Sequence, residues 1–86
     1  MIRKPIVIDF FDVNSDILLF CAFRYALGRR TYVVGTLVDI IRDNWEHMPK
    51  SRREMFKKEI REAISRDMCG SKYDIEEWET ILRLED

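Results

Sequence analysis

The chain has 86 residues, which suffices for one domain (residues 1–86) and excludes a multidomain enzyme, a TIM barrel or a complete dinucleotide-binding fold. Hydrophobic residues make up 47% of it, and only three glycines and two prolines occur, so neither intrinsic disorder nor a turn-rich all-β fold is expected. Fifteen basic and sixteen acidic residues give a net charge of −1, unlike a histone-like polycation or a polyanionic mimic of DNA.

The cysteine content and the apolar runs indicate a reducing, cytosolic setting. Two cysteines, Cys21 and Cys69, are too few for a disulfide scaffold. Cys21 lies in the apolar run 17–23, where a reduced thiol behaves as a small hydrophobic group, so we expect it in the core. This run of seven residues is far shorter than the ~20 residues of a membrane-spanning helix.

Residues 1–13 are predicted to form an extended N-terminal arm. Residues 5–11 are β-branched and aromatic, which is typical of a short strand. A lone strand has no partner within a helical chain of this size. The segment therefore either pairs across a homo-oligomer or packs as an apolar tail.

Residues 14–86 are predicted to form a compact helical bundle that begins with a hydrophobic helix. Asn14 or Ser15 is the expected N-cap, the helix continues to Leu27, and Gly28 follows as a C-terminal stop. The middle of this helix is apolar on nearly every side, which is typical of a buried central helix.

The second helix is predicted from an apolar stripe with helical spacing. Its members are Val34, Leu37, Val38, Ile41, Trp45 and Met48. The start is ambiguous, because either Thr31 or Thr36 could act as the cap. We favour Thr31, which places Gly35 inside the helix, and we expect the helix to end at Pro49.

Two further helices complete the predicted four-helix domain. Ser51 and Glu54 form a capping-box pattern that opens the third helix, which is expected to continue to about Met68. Asp74 and Glu77 are expected to open a shorter fourth helix after the stop at residues 69–71. The expected inward residues are Phe56, Ile60, Ala63 and Ile64 in the third helix and Ile75, Trp78, Ile81 and Leu82 in the fourth.

No pattern of catalytic residues or metal ligands emerges. Residues 12–16 match the opening of a calcium-binding loop, but Ile17 then replaces the required glycine and Phe23 replaces the bidentate glutamate. His47 is the only histidine and has no zinc-ligand spacing around it. We therefore expect helix-capping acids, no metal, no cofactor and no enzymatic activity.

A basic segment supports nucleic-acid binding as one alternative function. Residues 50–66 hold seven basic against three acidic side chains, whereas residues 74–86 hold one against six. The candidate phosphate contacts are Arg52, Arg53, Lys57, Lys58 and Arg61. The other interpretation is that this segment is a solvent-exposed face whose charge the acidic fourth helix partly neutralises. The basic segment also has no Asn or Gln, the residues that most often read adenine bases.

Arginine and tyrosine concentrate around the predicted turn between the first two helices. These residue types dominate protein–protein interfaces, because each combines a large contact area with a polar tip. The candidate contact residues are Arg24, Tyr25, Arg29, Arg30 and Tyr32. The same cluster could equally be a structural corner.

Residues 23–34, read with Asp39 and Trp45, resemble a group of small bacteriophage and prophage proteins. The shared features are an apolar helix, an R-Y-A-L-G-R-x-T-Y-like turn and a second helix ending near Trp45, over roughly residues 16–65. The resemblance implies an accessory protein that binds a host protein. Small phage proteins of this kind include inhibitors of bacterial immunity such as anti-CRISPR proteins.

Overall fold

The computed structural model describes residues 6–27, 33–68 and 70–85. Within these ranges the chain forms four α-helices and no strand. The helices are α1 (Val13–Ala26), α2 (Val33–Asp43), α3 (Lys50–Ser65) and α4 (Lys72–Leu82). The predicted mainly helical, four-helix fold is confirmed, and the short strand considered near the N-terminus does not form among residues 6–11.

Helix α1 begins earlier than predicted because Asp12, and not Asn14 or Ser15, is its N-cap. The Asp12 carboxylate accepts hydrogen bonds from the Asn14 backbone N–H at 3.1 Å and from the Ser15 hydroxyl at 2.9 Å. A carboxylate suits this position because it also interacts favourably with the positive end of the helix dipole. At the other end the helix stops at Ala26, with Leu27 as its C-cap.

Helix α2 contains Gly35 and Thr36, so Thr36 is not its cap. Thr31, the favoured cap, lies outside the described residues. The α-helix also ends at Asp43 rather than at Pro49.

Tighter turns follow α2 and keep its apolar stripe directed inward. The backbone N–H of Trp45 donates to the carbonyl of Arg42 at 3.2 Å, and that of Met48 donates to the carbonyl of Trp45 at 3.3 Å. These bonds span three residues, as in a 3₁₀-helix, where side chains three apart lie on one side. Trp45 and Met48 are therefore buried although the α-helix has ended.

The predicted Ser51–Glu54 capping box is wrong. Helix α3 begins at Lys50, its N-cap is Pro49, and no side chain caps it. Proline fits there because its fixed φ suits a helix start and the missing N–H has no role in the helix. Ser51 is consequently already within the first turn.

Helix α3 ends at Ser65, three residues before the predicted Met68. Asp67 adopts a positive φ of 55°, its N–H donates to Ile64 O at 3.0 Å, and Met68 N–H donates to Ala63 O at 2.8 Å. This pair of bonds is a Schellman motif, which satisfies the last carbonyl groups of a helix. Asp67 takes the left-handed position that glycine usually occupies.

Helix α4 opens with a capping box between Ser71 and Asp74 rather than between Asp74 and Glu77. Ser71 N–H donates to the Asp74 carboxylate at 3.1 Å, and Asp74 N–H donates to the Ser71 hydroxyl at 3.3 Å. The pattern is shifted by three residues because Ser71 is the last non-helical residue, which is the position of an N-cap.

An aromatic cluster occupies the centre of the core and links three helices. Phe23 of α1 meets Phe56 of α3 edge to face, with centroids 4.8 Å apart, and Trp78 of α4 in the same manner at 5.4 Å. All three side chains are fully buried. The predicted α2 stripe is buried as well, whereas Ile64, Ile75 and Leu82 are only partly buried. Helix α4 packs closely against both α2 and α3, and α1 packs against α2.

The side chain of Asn44 attaches the extended residues before α1 to the helical core. Asn44 is fully buried, and its Oδ1 accepts from the Ile8 N–H at 2.8 Å. Its Nδ2 donates to the carbonyls of Ile6 and Ile40, both at 2.7 Å. The amide thus takes the place of a neighbouring strand for residues 6–8. Residues 6 and 8 thus contact their own chain, and pairing of this segment across a homo-oligomer stays a prediction.

We expect Phe23→Ala to lower the free energy of unfolding by about 3–5 kcal/mol, because the substitution leaves a cavity where three helices meet. The matched control is Phe11→Ala, since Phe11 is 93% exposed and its loss should change stability by at most about 0.5 kcal/mol. Urea denaturation followed by tryptophan fluorescence measures both. Equal effects of the two variants would contradict the central role of Phe23.

We expect Asn44→Ala to destabilise the fold by about 2–3 kcal/mol, because it removes three buried hydrogen bonds. It should also speed amide hydrogen exchange at Ile8, whose N–H loses its acceptor. Asn14→Ala is the control, since Asn14 is exposed. If Ile8 exchanges at the same rate in all three proteins, the amide does not hold the N-terminal segment.

Candidate protein-binding surface

The side of α1 that points away from the core is apolar and exposed. We call this surface the outer face of α1. Leu18 is 69% exposed, Tyr25 is 62% exposed and Ile17 is 51% exposed. The outer face consists of Asn14, Ile17, Leu18, Cys21, Ala22 and Tyr25, all of them exposed. Its members recur every three or four residues, so they share one side of the helix.

The expectation that α1 is buried on every side is wrong, and so is the placement of Cys21 in the core. Only one side of α1 packs inward, through Leu19, Phe23 and Ala26. The backbone of α1 lies close to that of α2 alone, whereas α4 packs against both α2 and α3. Helix α1 therefore lies at the edge of the bundle with its second apolar side uncovered.

The outer face of α1 carries no charge, although charged residues make up 36% of the chain. Between Val13 and Phe23 the only charged residue is Asp16. Its carboxylate forms an ion pair with the Arg52 guanidinium of α3, and both side chains are largely covered. The one charge of this stretch is therefore directed towards α3.

The size of this apolar surface is unusual for so small a domain. The exposed side chains of the outer face, added to that of the nearly fully exposed Phe11 two residues before α1, amount to on the order of 600 Å². That equals the upper end, about 300–600 Å², of the largest apolar patch on typical monomeric proteins, and patches of this size are often functional.

Arg24 borders the outer face at the C-terminal end of α1. Its guanidinium donates to the Glu59 carboxylate of α3 at 2.9 Å and lies 5.9 Å from the centre of the Phe20 ring. The Arg24 side chain is still 55% exposed. Of the five predicted contact residues, the structure thus brings Arg24 and Tyr25 to one end of α1. Arg29, Arg30 and Tyr32 lie outside the described residues.

The five candidate phosphate-binding residues of α3 do not form one exposed surface. Lys57 is buried, where its ammonium donates to the Leu84 carbonyl and lies 5.7 Å from the Trp45 ring centre. Arg52 is engaged with Asp16, and Arg53 is partly buried. Only Lys58 and Arg61 are exposed.

The residues considered for metal binding and catalysis have structural contacts instead. Asp12 caps α1, and the His47 Nε2 lies 3.3 Å from the Ile8 carbonyl, with its ring 5.7 Å from that of Phe10. Among residues 6–27, 33–68 and 70–85, no group of three His, Cys, Asp or Glu side chains could hold a metal ion. In the same ranges no helix has the length and apolarity needed to cross a membrane.

The sequence predicts Arg24 and Tyr25 as contact residues but does not single out Ile17 and Leu18, which the structure places beside Tyr25 on the outer face. One signal could have found them. A helix whose middle is apolar on nearly every side needs neighbours almost all around it, and a chain of this length has little other structure to supply them. The surplus apolar side of such a helix must remain at the surface.

Comparison with known proteins adds no family or fold relative. No protein-family model matches the chain, and neither a curated protein nor a solved structure matches it significantly.

We expect the Cys21 thiol to react with a small alkylating reagent nearly as fast in the dilute folded protein as in urea, because it is exposed. The measurement uses the Cys69→Ser chain, so that mass spectrometry reports one thiol. The matched control is Ala26→Cys in a chain lacking both native cysteines, since Ala26 is fully buried on the opposite side of α1. Equal protection of the two positions would contradict the exposure of the outer face.

Proposed function

We propose that this protein is a non-enzymatic protein-binding module that occupies a surface of another protein through the outer face of α1. The observation that supports this proposal is an uncharged, apolar surface on an otherwise charged domain, formed by the outer face of α1 and measuring about 600 Å² when Phe11 is included. Burial of apolar area is the main driving force of protein association.

The composition of the outer face suits a protein partner. Tyr25 supplies a large aromatic contact, and Arg24 stands at the border with its guanidinium already held by Glu59. Tyrosine and arginine are enriched among the residues that carry most of the binding energy at interfaces. Since these side chains project from a helix packed on the core, little backbone entropy is lost when they bind.

The resemblance to small phage proteins supports the proposal that the chain is phage- or prophage-encoded and acts in the cytosol of a bacterial host. Its partner would then be a host protein. Within that class, a component of a bacterial defence system is our preferred target, which makes the protein an inhibitor of the anti-CRISPR type. The net charge of −1 favours occupation of a surface over mimicry of DNA.

The alternative function, nucleic-acid binding through α3, has weaker support. It requires a basic surface that is available to phosphates. Arg52 and Lys57 instead bind groups of their own chain, and Lys58 and Arg61 alone are exposed among the five candidates.

We expect Leu18→Asp to lower capture of a host protein at least about tenfold, because it places a charge in the middle of the apolar contact. The tagged protein is incubated with bacterial lysate, with and without nuclease, and captured proteins are quantified by mass spectrometry. The matched control is Tyr73→Asp, since Tyr73 is an exposed aromatic residue on α4. Circular dichroism confirms that both variants fold.

The outcomes separate the two candidate functions. Equal capture by Leu18→Asp and by the unmodified protein would contradict the proposed surface. Recovery of nucleic acid that is lost on nuclease treatment and in the Lys58→Ala/Arg61→Ala variant would instead favour the alternative.

A further inference from the structure

We propose that, in the absence of its partner, the outer face of α1 binds the same face of a second copy of this chain, with the two α1 helices antiparallel. This inference rests on the proposed function in one respect, since it uses the same surface. It adds that self-association and partner binding compete, so that the free protein shields its apolar surface.

The available area fits a reversible dimer. About 600 Å² from each copy, with Phe11 included, gives about 1,200 Å² in total, which is at the lower end of the range for specific protein interfaces. Interfaces of that size are found in transient complexes. A weak dimer is what the competition requires, because the partner must be able to displace the second copy.

The outer face is compatible with its own copy. In a two-fold symmetric dimer the same patch is buried on both copies, so any unpaired charge within it would be removed from water twice. The outer face carries none, and its one strongly polar member is the Asn14 amide. Cys21 and Ala22 are small, which allows two helix axes to approach to about 8–10 Å.

The charges at the two ends of α1 favour the antiparallel arrangement. Asp9 and Asp12 are exposed at the N-terminal end, whereas the C-terminal end holds Arg24, which is paired with Glu59 of α3 and remains 55% exposed. An antiparallel pair places the acidic end of one copy beside the basic end of the other, and it also opposes the two helix dipoles. A parallel pair would place like charges together. The charge distribution therefore selects a second, reversed copy of α1 as the occupant.

The first test is sedimentation equilibrium of the full-length protein over a range of about 10 µM to 1 mM, which covers the weak dimers expected for an interface of this size. We expect a concentration-dependent dimer for the unmodified chain and for Tyr73→Asp, and a monomer for Leu18→Asp. An unmodified chain that is monomeric throughout would overturn the inference. A dimer that persists in Leu18→Asp would overturn it too.

A mixing experiment distinguishes loss of the Leu18 contact from a general effect of introducing a charge on α1. Leu18 lies near the midpoint of α1, so the two Leu18 side chains are close in the proposed dimer. We expect Leu18→Glu and Leu18→Lys each to be monomeric alone and to form a mixed dimer at low salt. If the mixture stays monomeric, the two helices do not face each other at this position.

Cross-linking tests the orientation in a chain without native cysteines. Asn14 and Tyr25 are equally far from the midpoint of α1, so the antiparallel dimer brings residue 14 of one copy to residue 25 of the other. We expect a disulfide in a mixture of Asn14→Cys and Tyr25→Cys chains, and none in either alone. A disulfide in either variant alone would overturn the antiparallel arrangement.

The oligomeric state of the chain and its capture of a host protein are measured separately, so dimer formation and the proposed function can fail independently. If the chain is monomeric while Leu18→Asp still loses host-protein capture, only the second copy is excluded. If the chain dimerises through Leu18 and no host protein depends on this residue, the proposed function fails and the dimer stands. Labelling of Cys21 provides an independent measure, since dimerisation should slow it as protein concentration rises.

Discussion

The edge-to-face contacts of Phe23 with Phe56 and Trp78 are the interaction on which the rest of the structure depends. They join α1 to α3 and α4 at the fully buried centre of the core. Because the contact is made from one side of α1, the helix docks through Leu19, Phe23 and Ala26 and leaves its other apolar side at the surface. The same packing that stabilises the domain therefore creates its candidate binding surface.

Two ion pairs between α1 and α3 decide how charge is distributed around this surface. Arg52 draws Asp16 away from the outer face, and Glu59 holds Arg24 at its border. The first pair also removes a cation from the basic helix, as does the bond from Lys57 to a backbone carbonyl. The contacts that make α1 suitable for a protein partner thus make α3 less suitable for nucleic acid.

The helices could be predicted from the sequence because the spacing of apolar residues within one segment is enough to indicate each of them. The four helices follow from apolar spacing, and the buried α2 stripe follows from the same period. The caps of α1 and α4 differ from those predicted because several polar residues near each start could satisfy the same N–H groups. Asp12 competes with Asn14 and Ser15, and Ser71 competes with Asp74. The local pattern therefore predicts that a helix exists more reliably than it predicts the residue at which the helix begins.

By itself, the sequence determined the helical class of this protein, its inward residues on α2, and an arginine and tyrosine at the end of α1. Those properties depend on periodicity and residue type within one segment. The tertiary structure alone decided that Leu18 and Cys21 are exposed, that Asn44 binds the segment before α1, and that Lys57 is buried. Each of these depends on how the helices and the segments at either end of the chain pack against one another. That packing is made by contacts between residues far apart in the chain, which no single segment encodes.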